Sequence, residues 1–325
     1  MSKKIVIIGA GQLGSRHLQG IAQSTFDISI EVVEPFESSR KIAEERYYQI
    51  KNRGNVVDIN FYDSILKLSN EIDLCIVATG SDVRFKIIQE LLDSKNVKNI
   101  ILEKVLFQSI KEYYDTEKLL EKTQTLCWVN HPRRMYPFYK KLKSYLQNAK
   151  QISYCFHGGA WGLGCNGLHF IDHLAYIANA TGLQLSNEFL NHEIYNSKRK
   201  GYLEFNGLLS GKIANHSFSL YSNENVVPSM LTISSDIIVL KIDETAGKIL
   251  ISKKENDWMW EEINEKIIYF QSELSQIFLN DILINNTCSL PSYKESMSLH
   301  IPFIKCLLNQ MEKVKNKKYT ICPIT

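Results

Sequence analysis

The chain has 325 residues, of which 44% are hydrophobic and 22% charged, with a formal net charge of +3. This length predicts two domains, each with its own core. The small net charge and the lack of an apolar run of transmembrane length give no sign of a nucleic-acid or membrane partner. The seven cysteines are scattered and never form a C-x-x-C pair. We therefore expect reduced thiols in the cytoplasm, without a disulfide frame or a zinc ribbon.

The chain opens with a strand, a glycine turn and a helix. A short apolar run, Ile5 to Ile8, is followed by G-x-G-x-x-G and then by a helix-compatible segment. In dinucleotide-binding folds the first glycine makes the tight turn, the second lets backbone approach a pyrophosphate, and the third allows helix–strand packing. The free amide groups and the dipole of the helix favour an anion there. The predicted cofactor contacts of this turn are Gly9, Gly11, Gln12, Leu13 and Gly14.

A second apolar strand ends at Glu34, about 20 residues after Gly14, where dinucleotide-binding folds place an acid on the adenosine ribose. A carboxylate at this position would repel a 2′-phosphate. We therefore expect NAD as the cofactor, with NADP as a possible alternative. The competing interpretation is that Glu34 is an ordinary exposed residue at a strand end.

The first 130 residues alternate strands and helices. Predicted strands are 4–8, 28–34, 56–61, 73–79, 99–103 and 125–130, and predicted helices are 12–23, 37–53, 64–69, 82–94 and 110–122. Alternating βαβ units with apolar strands predict a parallel, doubly wound sheet of the Rossmann type. We therefore assign residues 1–130 to a dinucleotide-binding domain.

Ligands of open parallel sheets bind beyond the carboxyl ends of the strands. Ala78 and Thr79 form a small, polar strand end that could line a nicotinamide crevice. Glu103 and Lys104 end the fifth strand, where the lysine ammonium could stabilise an alkoxide and Glu103 could hold the lysine or the cofactor. A surface ion pair between Glu103 and Lys104 is an equally good interpretation.

After Pro132 the pattern changes. Predicted helices are 137–146, 168–180, 263–284 and 293–313, and predicted strands are 152–157, 203–205, 208–220, 230–234, 237–242 and 248–252. Asn206-Gly207 is predicted to be a hairpin turn, and residues 245–247 another. Residues 131–325 should therefore form an α+β domain with a largely antiparallel open sheet that binds the substrate and supports oligomers.

A glycine-rich loop at residues 158–166 surrounds Trp161, whose indole suits the apolar face of a sugar. The alternative is a structural turn with a packed indole. Arg133 and Arg134 could clamp a carboxylate or phosphate of the substrate. Alternatively, they cap the end of a strand and meet nearby acids.

Taken together, these motifs resemble the Gfo/Idh/MocA oxidoreductases, the glucose–fructose oxidoreductase and inositol dehydrogenase group. The resemblance rests on Gly9–Gly14 with Arg16-His17, Ala78-Thr79, Glu103-Lys104, Arg134 with Pro137, and 167–172. It implies hydride transfer to or from a carbon of a sugar, polyol or nucleotide sugar, and a homo-oligomer, either a dimer or a tetramer. The sequence of the glycine-rich loop is similar to that of family members associated with bacterial surface sugars.

The resemblance also implies roles for individual residues. Lys104 would be the catalytic lysine and His169 the proton-transfer residue. Their chemistry agrees, because imidazole exchanges protons near neutral pH whereas lysine, with a pKa of about 10.4, suits electrostatic stabilisation. Asp172 could orient an imidazole, or it could satisfy the helix dipole. The predicted substrate contacts are Arg134, Trp161, Cys165, Asn166 and Asp172.

Two departures from the family pattern bear on catalysis. The proline that usually follows the lysine is Val105, and the aspartate four residues before the histidine is Cys165. Asn166, the next residue, can form hydrogen bonds but cannot take a proton. The site therefore loses a carboxylate base, which predicts a changed substrate or, as the alternative function, a non-catalytic NAD(P)-binding regulator.

A metal enzyme is a third interpretation. Cys165, His169 and His173 would share one helical face if their helix began early, and the two histidines have the H-x-x-x-H spacing of zinc hydrolases. The glutamate that those enzymes carry after the first histidine is missing. We expect the glycine-rich loop to keep Cys165 off the helix, and we expect no metal.

Overall fold

The computed structural model describes residues 2–325, which form two compact units. The first unit contains the described residues up to Phe107, Lys111–Pro132 and Tyr269–Lys294, and the second contains Gln108–Ile110, Arg133–Ile268 and Glu295–Thr325. The chain therefore returns to the first unit late in the sequence, which the assignment of 131–325 to one domain did not foresee.

The first unit is built on a six-stranded parallel sheet in the order β3-β2-β1-β5-β7-β8. Its strands and helices are β1 (Lys3–Ile8), α1 (Gln12–Ile21), β2 (Ile28–Val33), α2 (Glu37–Tyr48), β3 (Val56–Tyr62), β4 (Glu71–Ile72), β5 (Leu74–Val77), α3 (Arg84–Ser94), β6 (Asn96–Val97), β7 (Asn99–Glu103), α4 (Ile110–Thr123) and β8 (Leu126–Asn130). β4 and β6 form a separate short parallel pair. The central strands are apolar and buried, as expected for a sheet with helices on both faces. The predicted doubly wound sheet is confirmed.

The second unit is built on an eight-stranded sheet in the order β10-β11-β12-β9-β13-β14-β15-β16. The elements that follow β8 are α5 (Pro137–Tyr145), β9 (Ile152–Gly159), α6 (Leu163–Ala178), β10 (Leu183–Asn196), β11 (Leu203–Ile213), β12 (His216–Asn223), β13 (Met230–Ser235), β14 (Ile238–Asp243), β15 (Lys248–Lys253), β16 (Trp260–Asn264), α7 (Gln271–Asn285) and α8 (Tyr293–Lys315). β9 pairs in parallel with β12, and the other neighbours are antiparallel. The predicted α+β architecture with a largely antiparallel sheet is confirmed.

One predicted turn in this sheet is wrong. Asn206 and Gly207 lie inside β11, and the hairpin between β11 and β12 turns at residues 214–215. Gly207 has φ +97°, and a Cβ there would lie 2.7 Å from the backbone nitrogen of Asn191 on β10. The glycine therefore serves the close approach of two strands, next to a register shift in their pairing. β10 and β16 were not predicted, and the helix expected from residue 263 begins at Gln271.

α7 packs on α1 within the first unit. At Gly20 of α1, a Cβ would lie 2.8 Å from Ser275 Cβ and 2.9 Å from the Ser272 carbonyl oxygen, so the small residue permits the contact. In residues 2–325, none of the helices combines the length and the apolar character needed to cross a membrane.

Candidate nucleotide and substrate sites

The glycine turn after β1 is held against the end of β5. Gly9 has φ +86°, and a Cβ there would lie 2.8 Å from Thr79 Cγ2. At Gly14 a Cβ would lie 1.8 Å from the Gly9 carbonyl oxygen. Both glycines are therefore required by the turn itself, as predicted from the motif.

Gly11 differs from its neighbours because a Cβ there would meet no atom within 4 Å. It precedes α1, whose first-turn amide groups at Gln12, Leu13 and Gly14 have no acceptor within the helix. The turn borders a cavity of about 550 Å³ that is lined by Gly9, Gly11, Glu34, Ala78 and Thr79 among other residues. Open backbone, free amide donors and a large cavity fit the diphosphate and ribose of a dinucleotide.

Glu34 lies in the wall of this cavity and is held in place by backbone donors. The amide of Ala10 donates to Oε2 at 2.9 Å, and the amide of Phe36 donates to Oε1 at 3.1 Å. Each carboxylate oxygen has further lone pairs that can accept a hydroxyl proton. The residue is 6% exposed, which argues against the interpretation as an ordinary surface residue.

The end of β5 forms the opposite wall of the cavity. Thr79 Oγ1 is buried and has no hydrogen-bond partner within the described protein, so it can serve a bound ligand. The backbone behind it is tied down by Arg84, which is 1% exposed. This guanidinium donates to the carbonyl oxygens of Thr79, Val105 and Leu106, and so joins the end of β5 to the loop after β7.

Lys104 directly follows β7, the strand next to β5. It is partly exposed, and the peptide bond between Lys104 and Val105 is cis. Lys104 thus lies at the same carboxyl edge of the sheet as the glycine turn and Thr79.

Glu103 lies in a buried hydrogen-bond network. Its carboxylate is buried, with Oε1 2.8 Å from His17 Nε2 and 2.5 Å from Asn130 Nδ2. His17 Nδ1 also lies 2.9 Å from Ser275 Oγ, and Asn130 donates to Gln271 on α7. Burial alone would raise the pKa of Glu103, but the hydrogen bond and charge of His17 lower it below the usual value. Glu103 therefore joins α1, β7, β8 and α7, and its assignment to the cofactor or to Lys104 stays a prediction.

The second unit contains its own cavity, of about 230 Å³. Its lining residues are Arg133, Phe156, Trp161, Asn166, His169, Phe170, Ser229, Glu244 and Thr245. Trp161, Asn166 and His169, which were predicted from the sequence, therefore lie together. Phe170, beside His169 on α6, was missed because an apolar helix residue carries no functional signal. Phe156 on β9, Ser229 before β13, and Glu244 and Thr245 after β14 were missed because they are distant in sequence and carry no local motif.

Trp161 and Asn166 are fixed at the cavity wall. The indole nitrogen of Trp161 donates to the Tyr221 carbonyl at 2.9 Å, and its ring meets Phe156 and Phe170 edge to face. Asn166 Nδ2 donates to the Trp161 carbonyl at 2.7 Å. The indole is thus packed by protein as well as bordering the cavity.

Arg133 binds an acid of this chain. Nε donates to Glu244 Oε1 at 3.0 Å and Nη2 donates to Oε2 at 2.6 Å, which is a bidentate ion pair. Tyr139 donates to the same Oε1 at 2.5 Å. The Arg133 guanidinium also lies 4.3 Å from the centre of the Phe170 ring. Glu244 raises the pKa of Arg133 against the effect of burial, so the guanidinium stays charged.

Arg134 and Asp172 bind one another and are not among the cavity-lining residues. Arg134 Nε donates to Asp172 Oδ2 at 2.9 Å, and Nη2 donates to Oδ1 at 2.8 Å. Asp172 is 0% exposed, and burial raises its pKa although Arg134 opposes this. The pair fixes α6 to the turn that precedes α5, and the assignment of both residues as substrate contacts stays a prediction.

α6 begins earlier than predicted, at Leu163, so Cys165 lies inside the helix. Glu204 on β11 explains the early start, because its carboxylate accepts from the amides of Gly164 at 2.8 Å and Cys165 at 3.2 Å. Burial raises the pKa of Glu204, and hydrogen bonds from the Cys165 thiol and these amides oppose the rise. Cys165 therefore faces Glu204 and is not among the cavity-lining residues, and its assignment as a substrate contact stays a prediction.

Cys165, His169 and His173 do share a helix, as the metal interpretation requires. Within residues 2–325, however, no three His, Cys, Asp or Glu side chains are grouped so that they could hold a metal ion. His173 is buried with Nδ1 3.0 Å from the Tyr154 hydroxyl, and burial lowers its pKa well below the usual value.

Residues 3–131 match the Gfo/Idh/MocA family model, described as an oxidoreductase family with an NAD-binding Rossmann fold. This match covers the N-terminal part of the chain, which is less than half of its 325 residues. The resemblance predicted from the sequence is thereby confirmed, and so is NAD as the cofactor class, which the turn, the cavity and Glu34 fit.

A curated relative, the uncharacterized oxidoreductase YrbE of Bacillus subtilis (strain 168), is 27% identical over 152 residues. This match covers 46% of the chain and 42% of the length of the relative. The match thus spans less than half of the length of that relative.

Solved structures resemble the chain over nearly its whole length. An oxidoreductase from Agrobacterium radiobacter in complex with NAD+, L-tartaric acid and magnesium has a TM-score of 0.75 and 12% identity, covering 96% of this chain and 97% of that one. The super-repressor mutant of Gal80p from Saccharomyces cerevisiae has a TM-score of 0.71 and 14% identity, covering 97% and 98%. UDP-N-acetylglucosamine 3-dehydrogenase GnnA from Acidithiobacillus ferrooxidans has a TM-score of 0.67 and 12% identity, covering 94% and 97%. At these identities the likeness shows the fold alone.

Proposed function

We propose that this protein is an NAD-dependent dehydrogenase or reductase that acts on a hydroxyl-bearing carbon of a sugar, polyol or nucleotide sugar. The observation that carries the proposal is the position of Lys104. It follows the strand beside β5, at the carboxyl edge where the glycine turn and Thr79 border the large cavity. In open parallel sheets this edge is where ligands bind.

The chain supplies the binding groups for the cofactor. The amide groups after Gly11 would hold the diphosphate of the cofactor. The Glu34 carboxylate would accept hydrogen bonds from the ribose hydroxyl groups. NAD, when bound, accepts or supplies the hydride. The preference for NAD over NADP follows from repulsion between Glu34 and a 2′-phosphate.

We assign the remaining steps to two side chains. The Lys104 ammonium stabilises negative charge on the reacting hydroxyl oxygen, and the His169 imidazole takes the proton from that oxygen or returns it. Trp161 and Asn166 border the same cavity as His169 and position the substrate. The similarity in fold to a protein named as a UDP-N-acetylglucosamine 3-dehydrogenase supports a sugar substrate. A role in surface-polysaccharide synthesis stays a prediction from the glycine-rich loop. Action in the cytoplasm and as a homo-oligomer stays a prediction.

The test is a turnover assay on the full chain with NAD or NADH and a panel of sugars, polyols and nucleotide sugars, followed by absorbance of reduced nicotinamide. Lys104→Ala and His169→Ala should each lower turnover about 10²- to 10⁴-fold. The matched controls are Lys111→Ala and His157→Ala, which change exposed residues. Full turnover by the Lys104→Ala variant would contradict the mechanism.

A regulator that binds NAD without turnover is the second candidate. It is favoured by Cys165, which replaces a carboxylate and contacts Glu204, and by the similarity in fold to Gal80p. NAD binding without turnover of any compound in the panel, together with recovery of a specific protein partner, would establish this alternative.

A further inference from the structure

The charges around the second-unit cavity cancel one another. Apart from His169, Arg133 and Glu244 are the ionisable side chains among its described lining residues. Arg133 donates hydrogen bonds from Nε and Nη2 to the Glu244 carboxylate, and the Phe170 ring packs over its guanidinium. The two N–H groups of Arg133 that could bind a substrate carboxylate in bidentate fashion therefore already donate to Glu244.

The other lining groups suit a ligand with hydroxyl groups and an apolar face. Asn166, Ser229 and Thr245 are neutral hydrogen-bonding residues, and the Trp161 N–H is already bound to Tyr221. What Trp161 offers to the cavity is therefore apolar ring surface. At Gly158 a Cβ would lie 2.1 Å from Ser229 Oγ, so this glycine makes room for the serine hydroxyl.

We propose that this cavity takes an uncharged, hydroxyl-bearing sugar ring, and that Glu244 determines this specificity by excluding acid sugars. The inference rests on the proposed function and names the substrate class of the same site. Because Glu244 already occupies Nε and Nη2 of Arg133, a substrate carboxylate would lose its hydration in the cavity without gaining the paired N–H donors of this guanidinium. Specificity is a difference between two affinities, and this uncompensated loss disfavours the acid and so selects the neutral member of a matched pair.

Binding to the NAD-saturated full chain tests the proposal without turnover. The probes are matched pairs that differ in one carboxylate: glucose and glucuronate, galactose and galacturonate, mannose and mannuronate. Wild-type protein should bind the neutral member of at least one pair with a Kd at least tenfold lower than the acid, measured by calorimetry or saturation-transfer NMR. Equal or tighter binding of the acids, or no binding of either member of any pair, would overturn the proposal.

Two variants test whether Glu244 causes the preference for the neutral sugar. Glu244→Gln releases the Arg133 cation and should reduce the preference for the neutral sugar at least tenfold. Tyr139→Phe removes a hydrogen bond to the same carboxylate but keeps its charge, so the preference should persist. An unchanged preference in a folded Glu244→Gln protein would overturn the role of Glu244. If this variant does not fold, the wild-type pairs still decide the substrate class, and turnover with NAD is judged by its own assay.

Discussion

The two cavities of this protein are built in different ways. The nucleotide cavity depends on backbone: two glycines that admit no side chain, a third that leaves open space, amide groups at the start of α1, and one carboxylate held by amides. The second-unit cavity depends on side chains from α6, β9 and the segments around residues 133, 229 and 244. Its polar groups are held by ion pairs and hydrogen bonds within the protein.

This difference predicts different sensitivities to mutation. A backbone-built site tolerates exchange of most side chains but not of its glycines, because the added Cβ collides with main chain. A site built from buried ion pairs depends on keeping both partners, since one partner alone is an uncompensated buried charge.

The largest expected effect tests the dependence of the second unit on buried ion pairs, at a pair beside the cavity. Arg134→Ala leaves Asp172, which is 0% exposed, without its bidentate partner. We expect a loss of about 3–5 kcal/mol in the free energy of unfolding at pH 7, measured with urea. Replacing both partners, Arg134→Met with Asp172→Leu, should recover most of the loss. A loss below about 1 kcal/mol in the single variant would show that the pair is dispensable.

A matched glycine pair tests the backbone half. Gly14→Ala places a Cβ 1.8 Å from the Gly9 carbonyl oxygen and should cost about 3 kcal/mol of stability in the absence of NAD. Gly11→Ala meets no atom within 4 Å and should cost less than about 1 kcal/mol.

The Gly11→Ala variant should nevertheless bind NAD at least tenfold more weakly, because its methyl group occupies the side from which the diphosphate approaches. Thermal melts and NAD titration separate the two effects. Unchanged NAD affinity in Gly11→Ala would mean that the diphosphate lies elsewhere.

After Arg134→Ala and Gly14→Ala, the next smaller loss of stability concerns Glu103, which belongs to a side-chain network in the first unit. Its pKa is lowered in the folded protein, so the ionised carboxylate stabilises the fold above the ordinary value of 4.5. This stability is lost as the pH falls below 4.5 and through the lowered pKa. Glu103→Gln should cost about 1.5–3 kcal/mol at pH 7, with the difference from wild type shrinking toward pH 3. Urea unfolding at several pH values measures it, and a difference independent of pH would contradict this account.

The sequence predicted the nucleotide unit well because its signals are local. A buried strand, three glycines and an acid at the next strand end follow one another in the chain, and each has a backbone reason. The same reasoning placed His169, Asn166 and Trp161 near one another, since they lie within nine residues along one loop and helix.

The sequence did not reveal contacts between residues that come from distant segments. Glu103 was assigned to the cofactor, but His17 and Asn130 surround it. Arg134 and Asp172 were each assigned to the substrate, but they bind one another. Asn206-Gly207 has the composition of a hairpin turn, yet the approach of β10 places it inside a strand.

The sequence by itself determined most of the strands and helices and the glycine turn, because these depend on periodicity and on the conformational freedom of single residues. The tertiary structure decided which charges remain available to a ligand. Whether a guanidinium binds a substrate or a carboxylate of its own chain depends on which acid folding brings beside it. Arg133 and Glu244 are far apart in the sequence and in direct contact in the fold.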